Sequence, residues 1–130
     1  MQTPKRRILM VDDDETLLST MKRYIEGTGR FEVRTQNKST RLHDALADFA
    51  PELIVLDLVM PDLDGGDVAA LLKNDARTRN TPILFYTSNV LKEEIEKQGG
   101  SIGGHAFLAK PSEGRELLKR IDQLLGTSPR

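Results

Sequence analysis

The residues Leu53-Ile54-Val55-Leu56-Asp57-Leu58-Val59-Met60-Pro61-Asp62-Leu63-Asp64-Gly65-Gly66 decide how the rest of the chain is read. Four apolar residues end in a carboxylate and pass into a loop rich in Pro and Gly. A short apolar run bounded by turn residues is the pattern of a strand buried on both faces. Asp57 falls at its C-terminal tip, where open α/β sheets hold their ligands. Three other apolar runs end in polar groups in the same way: Ile8-Leu9-Met10-Val11 in Asp12-Asp13-Asp14, Ile83-Leu84-Phe85-Tyr86 in Thr87-Ser88-Asn89, and Ala106-Phe107-Leu108-Ala109 in Lys110-Pro111.

Between these runs the period changes from strand to helix. Leu17, Leu18, Met21 and Ile25 follow Asp14 at helical spacing, with Gly27 and Gly29 as a stop. Leu42, Ala45, Leu46 and Phe49 predict a second helix, capped by Ser39 or Thr40 and stopped by Pro51. Val68, Leu71 and Leu72 predict a third, with Asp64 or Asp67 near its start, where the helix dipole favours an acid. A fourth covers Val90 to Gln98, with Val90, Leu91 and Ile95 apolar, and Gly99 to Gly104 reads as a loose connection. Ser112 stands as cap of a fifth, which carries Leu117, Leu118, Ile121, Leu124 and Leu125. Phe31-Glu32-Val33-Arg34-Thr35 alternates apolar and polar, as a half-exposed edge strand does.

Five strands alternating with five helices predict an α/β fold, a doubly wound, five-stranded parallel sheet with helices on both faces. Right-handed crossovers and a polar second strand at an edge give the order 2-1-3-4-5. A length of 130 residues suits one domain, with its core over about 6–126, residues 1–5 as a frayed leader and 127–130 as a tail or the start of a linker.

Composition narrows the function classes. No apolar run is long enough for a membrane span, and Lys5-Arg6-Arg7 leads into only four apolar residues, so neither membrane nor signal peptide is expected. Without Cys there is no disulfide framework and no thiolate metal site, which fits a cytoplasmic protein. A net charge of -1 gives no electrostatic case for direct nucleic-acid binding.

The expected topology brings the ends of the first and third strands together, so Asp12, Asp13 and Asp57 converge. Two unit charges about 5 Å apart at an effective dielectric of about 20 repel by about 3 kcal/mol, so three carboxylates require a positive partner. A hard dication with oxygen ligands suits them, and Mg²⁺ takes one or two carboxylates, keeps waters and accepts a phosphoryl oxygen. Lys110 supplies a point charge and Thr87 a hydroxyl. A nucleophilic carboxylate, a metal, a cation and a hydroxyl around one point are what phosphoryl transfer to an Asp requires.

Taken in order, Ile8-Leu9-Met10-Val11-Asp12-Asp13, Leu56-Asp57-Leu58-Val59-Met60-Pro61-Asp62-Leu63-Asp64-Gly65, Tyr86-Thr87-Ser88 and Phe107-Leu108-Ala109-Lys110-Pro111 resemble the receiver domains of two-component response regulators, of the stand-alone chemotaxis type. Each piece alone is weak, and all four in this order at strand ends are specific. The resemblance implies a flavodoxin-like fold in which Asp57 takes a phosphoryl group from a histidine kinase or histidine phosphotransferase. It implies that Asp12, Asp13, Asp57 and the backbone carbonyl of Val59 hold Mg²⁺, that Thr87 and Lys110 bind the phosphoryl oxygens, and that Phe107 is a switch aromatic that turns inward when Thr87 moves. It further implies a phosphorylation-controlled surface around the fourth helix and fifth strand that meets a downstream protein target or an output domain, and it allows a phosphorylation-dependent homodimer. Such a switch catalyses only its own phosphorylation and dephosphorylation. Val59 and Asn89 stand where side chains flank the phosphoryl group in this family, and Gly103-Gly104 replaces a usual Gly-Ala.

Plainer readings compete at each position. Asp12 to Asp14 could cap the first helix, with Glu15 completing a capping box from Asp12. Thr87 alone could be a strand-end hydroxyl bonded to backbone, Lys110 a solvated lysine and Phe107 plain core. His43 and His105 lack partners at ligand spacing and read as surface residues. Two other functions remain. One is a pseudo-receiver, an interaction module without phosphorylation, although such chains usually lose an acid, the Thr or the Lys. The other is a haloacid-dehalogenase-like phosphatase, whose acidic loop Asp62-Leu63-Asp64-Gly65-Gly66 faintly resembles, although Pro61 intervenes and Gly66 stands where that motif has Thr.

Overall fold

The computed structural model describes residues 4–38, 42–47, 49–58, 65–88, 92–99, 101–102 and 105–128. In chain order these form β1 (Arg6–Val11), α1 (Glu15–Glu26), β2 (Phe31–Gln36), α2 (Leu42–Ala47), β3 (Leu53–Leu56), α3 (Gly65–Asn74), β4 (Ile83–Thr87), α4 (Lys92–Lys97), β5 (Ser101–Ile102), β6 (His105–Ala109) and α5 (Gly114–Leu125). The parallel strands lie in the order β2-β1-β3-β4-β6, which is the expected 2-1-3-4-5 arrangement. A sixth strand, β5, pairs antiparallel with β6 at the edge, Ser101 opposite Ala106 and Ile102 opposite His105. Two residues carry no readable period, so the sequence gives only a loose connection there.

Alternation along the strands divides the core. Leu9, Val11, Ile54, Leu56, Ile83, Phe85, Phe107 and Ala109 face α2, α3 and α4, where they meet Leu46, Val68, Leu72 and Ile95. Ile8, Met10, Leu53, Val55, Leu84 and Tyr86 face the other way, onto Leu18, Met21 and Ile25 of α1 and Leu117 and Ile121 of α5. Ile8 to Val11 of β1, all of β3 and Ile83 to Tyr86 of β4 are buried runs without a charged residue because both faces are covered there, whereas β2 alternates because it is an edge strand. Burying each such Leu or Ile stabilises the fold by about 1.5–3 kcal/mol.

Two local expectations are corrected, and one competing reading does not hold. Leu71 is not part of the core of α3: it is 59% exposed, and Ala69 is buried beside Val68 and Leu72 instead. A helical stripe narrower than its three apolar residues leaves one of them in solvent. Asp12 and Glu15 do not form a capping box, because the N-cap of α1 is Asp14, whose carboxylate accepts the Leu17 amide at 3.0 Å. Ser112 is not the cap of α5. That position belongs to Glu113, which makes no side-chain cap bond. The C-terminal stop of α5 is Gly126 at φ 69, a left-handed conformation that costs glycine nothing and lets its N–H bond Asp122 O. Ser39, Thr40, Asp64, Val90 and Leu91, named in the sequence reading of the helix ends, lie outside the described residues. No described helix is long and apolar enough to cross a membrane.

Candidate functional site

Parallel pairing brings distant carboxylates to one place. Val11 lies opposite Leu56, so the next residue of each strand, Asp12 and Asp57, leaves the sheet side by side, and the Asp57 amide bonds Val11 O at 3.1 Å. Asp12 and Asp57 are buried and Asp13 is exposed. One carboxylate oxygen from each of Asp12, Asp13 and Asp57 lies within 4.8 Å of the others. The run of three acids is thus divided by role: Asp14 caps α1, while Asp12 and Asp13 turn to Asp57.

Lys110 enters from the end of β6. Its backbone N–H bonds Thr87 O at 2.9 Å, which ties the loop after β6 to the end of β4. Its ammonium donates to Asp12 Oδ2 at 2.6 Å and lies 3.6 Å from Asp57 Oδ2. Asp12 Oδ1 accepts the Asp14 amide at 3.0 Å. Burial works against the charge of Lys110, but the bond to Asp12 and the attraction of Asp12 and Asp57 outweigh it and hold the ammonium above its usual range. Burial also pushes the Asp12 carboxyl up, and the Lys110 and Asp14 donors oppose that without cancelling it. Among the described residues three carboxylates face this one ammonium, so the pocket carries more negative charge than Lys110 neutralises.

Thr87 is buried at the C-terminal end of β4, in register with Ala109. Phe107 is also buried, and its ring lies 5.1 Å from that of Phe85, two residues before Thr87 on the same face of β4. Phe107 borders a groove of about 400 Å³ between α4 and α5, lined by Ile95, Gly99, Lys119, Arg120 and Gln123 among others. His105 is exposed, as expected, with its ring nearly perpendicular to that of Phe85 and 5.6 Å from it between centres. The Val59 carbonyl expected to ligate metal, together with Asn89, Gly103 and Gly104, lies outside the described residues, as does the side chain of His43.

A donor set made only of carboxylate oxygens, two buried and one open to solvent, fits a hard dication that keeps part of its water shell.

These features define a class, the receiver of a signalling phosphorelay, and comparison with known proteins agrees. A family model for the response regulator receiver domain matches residues 8–122, and the chain belongs to that family. It is similar to the response regulator Rre1 of Synechocystis, 31% identical over 118 residues that make up 91% of this chain and 51% of the relative. It is similar also to the polar-differentiation response regulator DivK of Brucella anthropi, 29% identical over 93% of this chain and 97% of the relative. The chain spans about half the length of several curated relatives, including the transcriptional regulatory protein GltR of Pseudomonas aeruginosa at 32% identity and 49% of its length. Among solved structures, the Vibrio cholerae chemotaxis protein CheY4 superposes with a TM-score of 0.79 over 94% of this chain and all of that one, at 23% identity, a likeness of fold. The family is a signalling switch that works with histidine kinases and downstream effectors.

One contact at the site escaped the sequence reading. The Tyr86 hydroxyl and Ser112 Oγ are 2.9 Å apart, and the Lys110 ammonium lies 5.4 Å from the centre of the Tyr86 ring. A tyrosine inside an apolar run reads as core, and the serine two residues after Lys110 reads as a cap.

Proposed function

We propose that Asp57 is the phosphoacceptor of a two-component phosphorelay. One of its carboxylate oxygens attacks the phosphorus of a phosphohistidine on a histidine kinase or histidine phosphotransferase. The P–N bond breaks, its electron pair returns to the imidazole, and the imidazole takes a proton from solvent. Asp12, Asp13 and Asp57, with the Val59 carbonyl implied by the family resemblance, would hold Mg²⁺, which neutralises charge on the phosphoryl oxygens when bound. Lys110 meets a phosphoryl oxygen from the opposite side, and the Thr87 hydroxyl donates to another. The single observation that carries this reading is the convergence of Asp12, Asp13, Asp57 and Lys110 at one end of the sheet.

Phosphorylation adds up to two negative charges beside Thr87 and Lys110. As Thr87 closes on them, Phe107, which the resemblance expects to turn inward and which already lies buried against Phe85, is held in that inward position, and the face made by α4 and β6 changes. That face would meet a downstream protein target, an output domain or a second phosphorylated copy. Residues 6–126 act as the receiver unit, with 127–130 as tail or linker. The protein works in the cytoplasm, does not itself bind nucleic acid or membrane, and catalyses only its own phosphorylation and dephosphorylation.

The test is intact mass after incubation with Mg²⁺ and acetyl phosphate. One labile phosphoryl adduct is expected on this chain and none on Asp57→Ala. Absence of an adduct on both would leave a phosphorylation-independent module, and turnover of unrelated phosphoesters would mark a phosphatase.

A further inference from the structure

We propose that Tyr86, anchored by Ser112, is a positioning residue for Lys110: its ring is the wall that aims the lysine ammonium into the acidic pocket. The proposal rests on the reading of Lys110 as the group that meets the phosphoryl oxygens. Lysine has a flexible four-carbon stem with about 2 kcal/mol of rotamer entropy, so an unguided ammonium samples many positions. Around Lys110 three links join the end of β4 to the loop between β6 and α5. The Lys110 amide bonds Thr87 O at 2.9 Å, the Tyr86 ring lies 5.4 Å from Nζ, and the Tyr86 hydroxyl meets Ser112 Oγ at 2.9 Å.

The chemistry of the wall matters. An ammonium has three N–H donors, and a carboxylate or carbonyl used to orient it would occupy one of them. An aromatic face attracts the charge through its quadrupole and is not a stronger acceptor than a phosphoryl oxygen. Tyr86 can therefore orient Lys110 while Asp12 takes one donor and the others stay directed at Asp57 and at what Asp57 carries. Tyr86 is 2% exposed and belongs to the same buried cluster as Leu84, Leu117 and Ile121, so it is held by the core beneath α1 and α5. Ser112 holds its outer end. The bond matters because Tyr86 is the chain neighbour of Thr87, the residue expected to shift when the phosphoryl group arrives.

The experiment measures phosphorylation rate with acetyl phosphate, Mg²⁺ affinity and thermal stability for the full chain and for Tyr86→Leu, Tyr86→Phe, Ser112→Ala and the double variant Tyr86→Phe/Ser112→Ala. Tyr86→Leu removes the aromatic face and is expected to slow phosphorylation about tenfold, the size of one cation–π contact. Mg²⁺ affinity stays unchanged, because no metal-holding carboxylate is touched. Tyr86→Phe keeps the face and restores most of that rate. It and Ser112→Ala each lose about two- to threefold, and the double variant loses no more than either, since all three remove the same bond. In proton NMR spectra the Lys110 ε-methylene resonances are shifted upfield by the ring current in the starting protein and in Tyr86→Phe, and not in Tyr86→Leu.

Wild-type rates in a folded Tyr86→Leu, or a loss of Mg²⁺ affinity that parallels the loss of rate, would overturn the assignment. If Tyr86→Leu does not fold, equal rates for Ser112→Ala, Tyr86→Phe and the starting protein overturn it instead. Failure of the underlying reading looks different, because then the unsubstituted chain forms no adduct on Asp57.

Discussion

The Lys110 ammonium bonds Asp12 Oδ2 at 2.6 Å across 98 residues of sequence, and lies 1 Å farther, at 3.6 Å, from Asp57 Oδ2. It is closer to a proposed metal ligand than to the proposed nucleophile. A cation held by Asp12 would therefore compete with the Lys110 ammonium for the same carboxylate.

From this competition Lys110→Ala is expected to bind Mg²⁺ at least as tightly as the unsubstituted protein, because the like charge is gone and all three carboxylates remain. Phosphorylation of Asp57 is expected to fall by about two orders of magnitude, the usual cost of deleting one preorganised stabiliser of transition-state charge. Calorimetric Mg²⁺ titration and adduct formation by mass check the two halves. A loss of Mg²⁺ affinity equal to that of Asp13→Ala contradicts the role given to the lysine.

Three clustered carboxylates make the cation-free protein carry unneutralised charge, so a dication that binds only the folded form raises its stability. At a hundredfold excess over its Kd, Mg²⁺ is expected to add about 2.7 kcal/mol. Thermal melts with and without Mg²⁺ should separate for the unsubstituted chain and nearly coincide for Asp13→Asn and for Asp57→Asn.

Arg30 and Asp122 join β2's leading edge to the last turns of α5 with two bonds, 2.8 and 3.1 Å. The Arg30 guanidinium holds the Asp122 carboxyl below its usual 3.8, against the opposing effect of burial and with help from Thr127. A folded-state value depressed below the unfolded one gives stability that is present in full above 3.8 and lost as pH falls through the lower, folded value. Asp122→Asn is expected to cost about 1 kcal/mol at neutral pH. That deficit should vanish in acid, below the folded value, in denaturant titrations run over a pH series.

Adjacent leucines in α3 should behave oppositely. Leu72 is 1% exposed among Val68, Ile54 and Phe85, and Leu72→Ala is expected to cost about 2–5 kcal/mol. Leu71 is exposed, and Leu71→Gln is expected to fall within about 0.5 kcal/mol of the starting protein. Urea midpoints for the two variants are the measurement.

The sheet and its order were legible in the sequence because a strand covered on both faces must be apolar along its whole length, and Leu53 to Leu56 and Ile83 to Tyr86 are. The convergence of Asp12, Asp13, Asp57 and Lys110 was legible too, since each follows directly on the point where such a run stops. Helix ends were less so: Asp12, Asp13 and Asp14 are chemically interchangeable as caps, and only the path of the chain out of β1 gives that task to Asp14. Leu71 and Ser112 were misread for a similar reason. A helical stripe does not state its own width, and a hydroxyl does not state its partner.

By itself, the sequence determined which residues end the strands, and hence that acids, a hydroxyl and a lysine would gather at one end of the sheet. Tertiary structure alone decided the distances within that gathering: that Lys110 leans on Asp12 more closely than on Asp57, and that the Tyr86 ring, bonded through its hydroxyl to Ser112, lies 5.4 Å from the ammonium. Periodicity fixes which face a residue occupies, which is a property of neighbours in the chain. The rotation of a side chain on that face depends on what other strands and loops bring against it, and those contacts exist only once the chain has folded.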